Sequence, residues 1–96
     1  MERLLPTHLE ELDRGSMTPG LCKQACYDNT FFFAGVQNSQ ECWCGNTAPP
    51  QDKLVPTEDC SSDCRGDPSQ KCGGPFRMNV YLSEGVFRVS IIRFHI

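Results

Sequence analysis

What this sequence lacks narrows its function before any motif is read. No run approaches the roughly 20 apolar residues that a membrane-spanning helix requires. The opening Met1-Glu2-Arg3-Leu4-Leu5-Pro6 has no basic start leading into an apolar run, so no export leader is visible. Lys and Arg are scattered and the net charge is −3, which excludes the clustered basic surface that nucleic acid or an anionic bilayer demands. No nucleic-acid partner and no direct membrane insertion are expected. The only histidines, His8 and His95, lie near the two ends, and CxxC redox spacing is absent. A cysteine nucleophile would have no base beside it, so the expectation is that the chain is not an enzyme and uses no cofactor. There is no Asn-x-Ser/Thr acceptor for N-glycosylation.

Cysteine, glycine and proline are abundant instead, at seven, eight and seven in 96 residues. A chain of this length builds only a thin hydrophobic core against the entropy of ordering it. Covalent staples supply the difference, and they form in an oxidising compartment. That expectation conflicts with the missing leader, and it is resolved by reading the sequence as a piece of a longer secreted or membrane-anchored protein.

The organising stretch is Glu41-Cys42-Trp43-Cys44-Gly45-Asn46. In an extended strand Cys42 and Cys44 point to one face and Trp43 to the other. Upstream, Cys22 and Cys26 are spaced i, i+4, on one face of a helix that Thr18 caps and Pro19 begins, running to about Tyr27. Helix and strand thus offer two sulfurs each to a single contact. Residues 1–17 read as a covering segment. The aromatic run Phe31-Phe32-Phe33-Ala34-Gly35-Val36 reads as a buried strand that returns through Gln37–Gln40 to Glu41 as an antiparallel pair. After a surface excursion over 46–56, Thr57-Glu58-Asp59 looks like a second helix start, placing Cys60 and Cys64 at i, i+4. Met78-Asn79-Val80-Tyr81-Leu82 alternates as a third strand. The apolar tail, residues 83–96, reads either as a fourth strand or as an exposed β-prone segment.

The spacing of these elements resembles the WSC domain, named for yeast cell-wall integrity and stress-response sensors. The resemblance rests on Met17-Thr18, Cys22-x-x-x-Cys26, Phe33-Ala34-Gly35-Val36, Glu41-Cys42-Trp43-Cys44-Gly45-Asn46, Asp59-Cys60-x-x-x-Cys64, Cys72-Gly73-Gly74 and Arg77-Met78-Asn79-Val80-Tyr81. Residues 1–82 are therefore expected to form a WSC-like domain, with 83–96 unmatched. The family pattern has eight cysteines and opens on a Gly-Cys-Tyr-like strand before a segment resembling Arg3-Leu4-Leu5. This chain begins after that strand, which accounts for an odd cysteine count. With the resemblance in hand, the expected pairing is nested, Cys22–Cys44 and Cys26–Cys42, as an antiparallel approach of helix and strand requires. Cys60, Cys64 and Cys72 are left to supply one further bridge. The expected fold is a small disulfide-rich α+β domain, with one or two short helices on a three-stranded antiparallel sheet.

The resemblance implies an extracellular or lumenal module for which carbohydrate binding is proposed. A sugar site needs an aromatic face for the C–H side of a pyranose and amides or carboxylates for its hydroxyls. The candidates are Trp43, Tyr81, Tyr27 and Phe31 for stacking, with Asn46 and Asn79 for hydrogen bonding, and the ligand class is a polysaccharide or a glycoprotein glycan. Against this, Phe32 and Phe33 read as core, and Trp43 and Tyr81 fit core and surface equally. The alternative function is a protein-docking or spacer module of a larger receptor. Zinc is the rival use of the cysteines, but a CxC pair and an isolated Cys72 do not divide into closed four-ligand sites. Asp63 and Asp67 read as solvated loop acids rather than a calcium loop.

Overall fold

The computed structural model describes residues 4–83 and 92–95. Arg3 of the family motif and most of the tail, 84–91 and 96, lie outside the described residues. In chain order the elements are β1 (Thr7–His8), α1 (Pro19–Asp28), β2 (Phe33–Gln37), β3 (Glu41–Gly45), β4 (Arg77–Leu82) and β5 (Ile92–His95), with 3-10 turns at Arg14–Ser16, Gln51–Lys53 and Thr57–Cys60.

Helix α1 starts where the sequence places it. The Thr18 hydroxyl accepts from the Leu21 N–H at 3.1 Å, and Pro19 opens the first turn, where its missing N–H costs nothing. Asn29 closes the helix: its N–H and its side-chain amide both donate to Ala25 O. Thr30 then takes a φ of 66°, and the Phe31 N–H returns to Cys26 O at 2.9 Å, so the chain reverses into β2.

The sheet is antiparallel throughout, in the order β1-β3-β2-β4-β5. Its middle is the expected three strands, and the α+β class stands. Two short strands extend the expectation. β1 comes from the covering segment and pairs His8 with Trp43. β5, from the apolar tail, pairs Arg77 with His95 and Val80 with Ile92. The β2–β3 turn takes positive φ at two successive residues, Asn38 and Ser39.

Pleating separates two apolar clusters. On the α1 side lie Ala34, Val36, Cys42, Cys44 and Tyr81, joined by Leu9, Met17, Cys22 and Cys26. On the other side Leu5, Met78 and Val80 pack around Trp43, with Leu4 and Phe33 at the margin. Gly35 makes this second cluster possible: a Cβ there would sit 2.3 Å from Met78 Sδ and 2.9 Å from a Leu5 methyl.

The disulfides correct the nested expectation. Cys22 bonds Cys42 and Cys26 bonds Cys44, with Cα separations of 5.4 and 5.6 Å. The reason is directional. The chain reverses once between α1 and β2 and again between β2 and β3, so β3 runs the same way as α1. Four helical residues then advance about 6 Å and two strand residues about 6.8 Å, and the two bridges fall in parallel rungs.

The second helix is also corrected. Thr57–Cys60 makes one 3-10 turn, and Cys64 lies beyond it. Ser61, Ser62 and Asp63 are residues whose side chains compete for backbone groups. The backbone here turns instead to the opposite arm of its own loop: Ser62 N–H to Gly73 O, Cys72 N–H to Ser62 O and Cys64 N–H to Gln70 O, at 2.8–3.0 Å. The Cys64–Cys72 disulfide closes that loop. The seventh cysteine, Cys60, is buried, and its thiol donates to Met78 O at 3.7 Å.

Candidate functional site

The six residues proposed from the sequence do not form one surface. Cross-strand register puts Trp43 and Tyr81 on opposite faces of the sheet, because Gly35 pairs with Trp43 and Val80 whereas Ala34 pairs with Cys44 and Tyr81. Trp43 is 7% exposed. The His8 imidazole lies over its indole at 4.3 Å between centroids and 9° from parallel, and the indole N–H donates to Glu41 Oε1 at 3.0 Å. One ring face that a sugar would use is thus held by the chain's own β1.

Tyr81 is 6% exposed on the α1 side, with Lys23 Nζ 5.7 Å from its ring centroid. Burial pushes its phenol above the ordinary tyrosine range, with a smaller electrostatic contribution from nearby Cys60. Asn79, buried on the same face, accepts the Gly73 N–H at 2.7 Å and so fixes the glycine turn. Phe31 is half-buried against the α1 cluster.

Tyr27 and Asn46 do reach solvent. Tyr27 is 55% exposed in the last turn of α1. Asn46, just past β3 and exposed, accepts the Phe32 N–H at 2.9 Å through its side-chain oxygen, so its NH2 is the donor end of the amide. That bond brings a third residue to the site, Phe32, which is 61% exposed and was read from the sequence as core. The signal that identifies it is the triplet itself. Phe31 packs into the cluster under α1 and Phe33 into the cluster on the opposite face, so the ring between them has no interior left to enter.

Tyr27, Phe32 and Asn46 therefore surround one turn, built by the Asn29 cap and the Thr30 reversal. Tyr27 and Phe32 flank that turn with exposed rings, Asn46 is joined to it through the Phe32 N–H, and the backbone beneath is held by Cys26–Cys44 and by the Ser83 N–H to Phe32 O bond at 2.8 Å. Such an arrangement can hold an apolar ring face and donate to hydroxyls.

The other chemistries considered have their atoms committed elsewhere. The sulfurs of Cys22, Cys26 and Cys42 lie within 4.8 Å of one another, yet each belongs to a disulfide and none is a thiolate ligand. Asp63 pairs with Lys71. Asp67 accepts from the Ser69 hydroxyl, the Gln70 amide and the Ser69 N–H, which together hold its carboxyl below the ordinary range.

Comparison with known proteins gives a family and a context. The WSC domain model matches residues 3–74. A WSC domain-containing protein of Arthroderma benhamiae is 39% identical over 74 residues, 75% of this chain and 8% of that protein. Xylosyltransferase oxt of Drosophila melanogaster is 36% identical over 66 residues, 69% of this chain and 8% of its own length. Human Kremen protein 2 is 35% identical over 66 residues, 68% of this chain and 14% of its own length. The chain thus spans a small fraction of the curated relatives it matches.

Proposed function

From the premise that this chain belongs to the WSC domain family, we propose that it is a non-catalytic carbohydrate-recognition module, taking a polysaccharide or protein-linked glycan at the turn between α1 and β2. Tyr27 and Phe32 supply stacking faces there, and the Asn46 amide donates to sugar hydroxyls. The observation that carries this reading is that both rings and the amide are exposed around one turn whose backbone is fixed by a disulfide and a helix cap. Trp43 and Tyr81 act as core, on opposite faces of the sheet. The module works outside the cell or in the secretory lumen, as part of a longer secreted or membrane-anchored protein. Its three disulfides require an oxidising compartment, and its relatives carry the same unit as a minor part of a long chain. The unit runs to residue 82, with Ile92–His95 added at the sheet edge. The xylosyltransferase activity named for one relative is assigned to that protein, of which the matched segment is 8%.

The test is retention of the oxidised domain on insoluble β-glucan, cellulose and chitin, with Tyr27→Ala/Phe32→Ala alongside. Retention by the unmodified domain and its loss in the double variant, both folded, is the expected result. A folded domain retained by none of the three contradicts the glycan reading for these polymers and turns the assignment to protein docking.

A further inference from the structure

A second exposed ring stands at the opposite end of the sheet. Gly74 and Arg77 exchange both backbone hydrogen bonds at 3.1 Å around Pro75-Phe76. Proline fixes φ near −65° at the second position, and Phe76 takes φ 55° at the third, the sign pattern of a type II turn. That third position is glycine's by preference, since a bulky side chain is strained there. Phe76 is also 66% exposed and belongs to neither apolar cluster. The fold thus bears two costs, a strained backbone and a largely exposed ring, with no cluster packing in return among the described residues. A third lies at the same end of β2, where Gln37 Oε1 is buried with no hydrogen-bond partner among the described residues. Strain that the surrounding structure holds in place, and that packing does not explain, points to function.

The turn is well held. A Cβ at Gly73 would meet Val36 O at 2.5 Å, and one at Gly74 would meet Asp59 O at 2.5 Å, so both glycines sit directly on neighbouring backbone. The Arg77 Nε donates to Asp59 Oδ2 at 3.2 Å, and its Nη1 donates to Phe76 O at 3.1 Å. Phe76 is therefore a preorganised ring whose own carbonyl accepts from the Arg77 guanidinium, itself paired with the Asp59 carboxylate, and among the described residues it joins neither apolar cluster. That setting suits the polar rim of a sugar more than the broad apolar patch of a protein interface.

We infer that Phe76 is a second stacking subsite, and that the ligand of this module is an extended polysaccharide rather than a single terminal sugar. The inference rests on the glycan reading proposed above. Phe32 precedes β2 at one end, and the Phe76 turn adjoins its other end through the pairing of Gln37 with Met78. Five strand residues separate these ends by roughly 15 Å, more than one sugar ring covers, so a ligand touching both spans several sugar units.

The test compares the unmodified domain with Phe76→Gly and Phe76→Trp, measuring affinity for a hexaose and a biose of whichever polymer retains the unmodified domain, together with the melting temperature. Phe76→Gly is expected to weaken hexaose binding about fivefold, leave biose binding unchanged and melt no lower than the parent. Phe76→Trp is expected to keep hexaose binding. Equal hexaose affinity in Phe76→Gly overturns the subsite while leaving the first glycan site standing, and a lower melting temperature assigns the ring to the fold and overturns it too. Absence of polysaccharide binding by the folded, unmodified domain removes the parent reading and the subsite together.

Discussion

The two faces of the sheet are closed by different means. On one, α1 is tied to β3 by two disulfides in parallel rungs. On the other, the segment around β1 lies over Trp43, Met78 and Val80, held among the described residues by a fully buried Leu5, the His8 ring and a two-residue strand. The difference shows two ways of closing one sheet, sulfur bridges set into the packing on one face and side-chain packing among the described residues on the other. On the helix face the half-cystines stand among Leu9, Met17, Ala34, Val36 and Tyr81, so the bridges are set inside the larger of the two clusters. On the opposite face Leu5, Trp43, Met78 and Val80 form a smaller cluster held by apolar burial.

Five perturbations probe this contrast, from the largest expected effect downward. Replacing both helix–strand bridges with alanine pairs should cost about 2–5 kcal/mol per bridge and unfold the domain at 37 °C. Because β3 serves both faces, fluorescence of the lone Trp43 should report the loss together with the far-ultraviolet signal. A Trp43 environment that survives the loss of both bridges would show that the faces are independent. Leu5→Ala, on the face opposite α1, should cost about 3 kcal/mol in a denaturant melt, through the cavity it leaves under Gly35 and Gly45. In Gly35→Ala the new methyl meets a buried Met78 and a buried Leu5, and a loss of about 1–3 kcal/mol is expected. Thr18→Ala removes the cap of α1 and should cost about 1 kcal/mol, detectable as faster amide exchange at Leu21. The smallest effect is alkaline. Tyr81 holds its proton more tightly folded than unfolded, so its contribution is complete below about pH 10, the unfolded value, and is lost as pH rises through the folded one. Tyr81→Phe should flatten that decline.

The elements whose causes are local were legible in the sequence. Thr18-Pro19 announced α1, the Cys-Trp-Cys alternation assigned opposite faces to sulfur and indole, and the three central strands followed from their apolar runs. What escaped depends on direction and on partners distant in sequence. The order of the two bridges follows from counting chain reversals between α1 and β3, a tertiary property that the cysteine spacing does not encode. Cys60 and Cys64 share helical spacing, yet the opposite arm of the loop, Gln70–Gly73, claims the backbone between them. The cover on Trp43 comes from a strand of two residues, too short to leave a period. At the candidate site Tyr27 and Asn46 were identifiable by type, whereas Phe32 was hidden inside an apolar run and Phe76 owes its exposure to a turn.

The most direct test of the account is a residue-resolved NMR titration of the oxidised domain with laminarihexaose, cellohexaose and chitohexaose. The account predicts saturable shifts at Tyr27, Thr30, Phe32 and the Asn46 side-chain amide with at least one of them, and little change at the Trp43 indole N–H beneath. Saturable shifts centred on Trp43 and His8 instead, or none with any of the three by a protein whose spectrum is that of a folded domain, would contradict it.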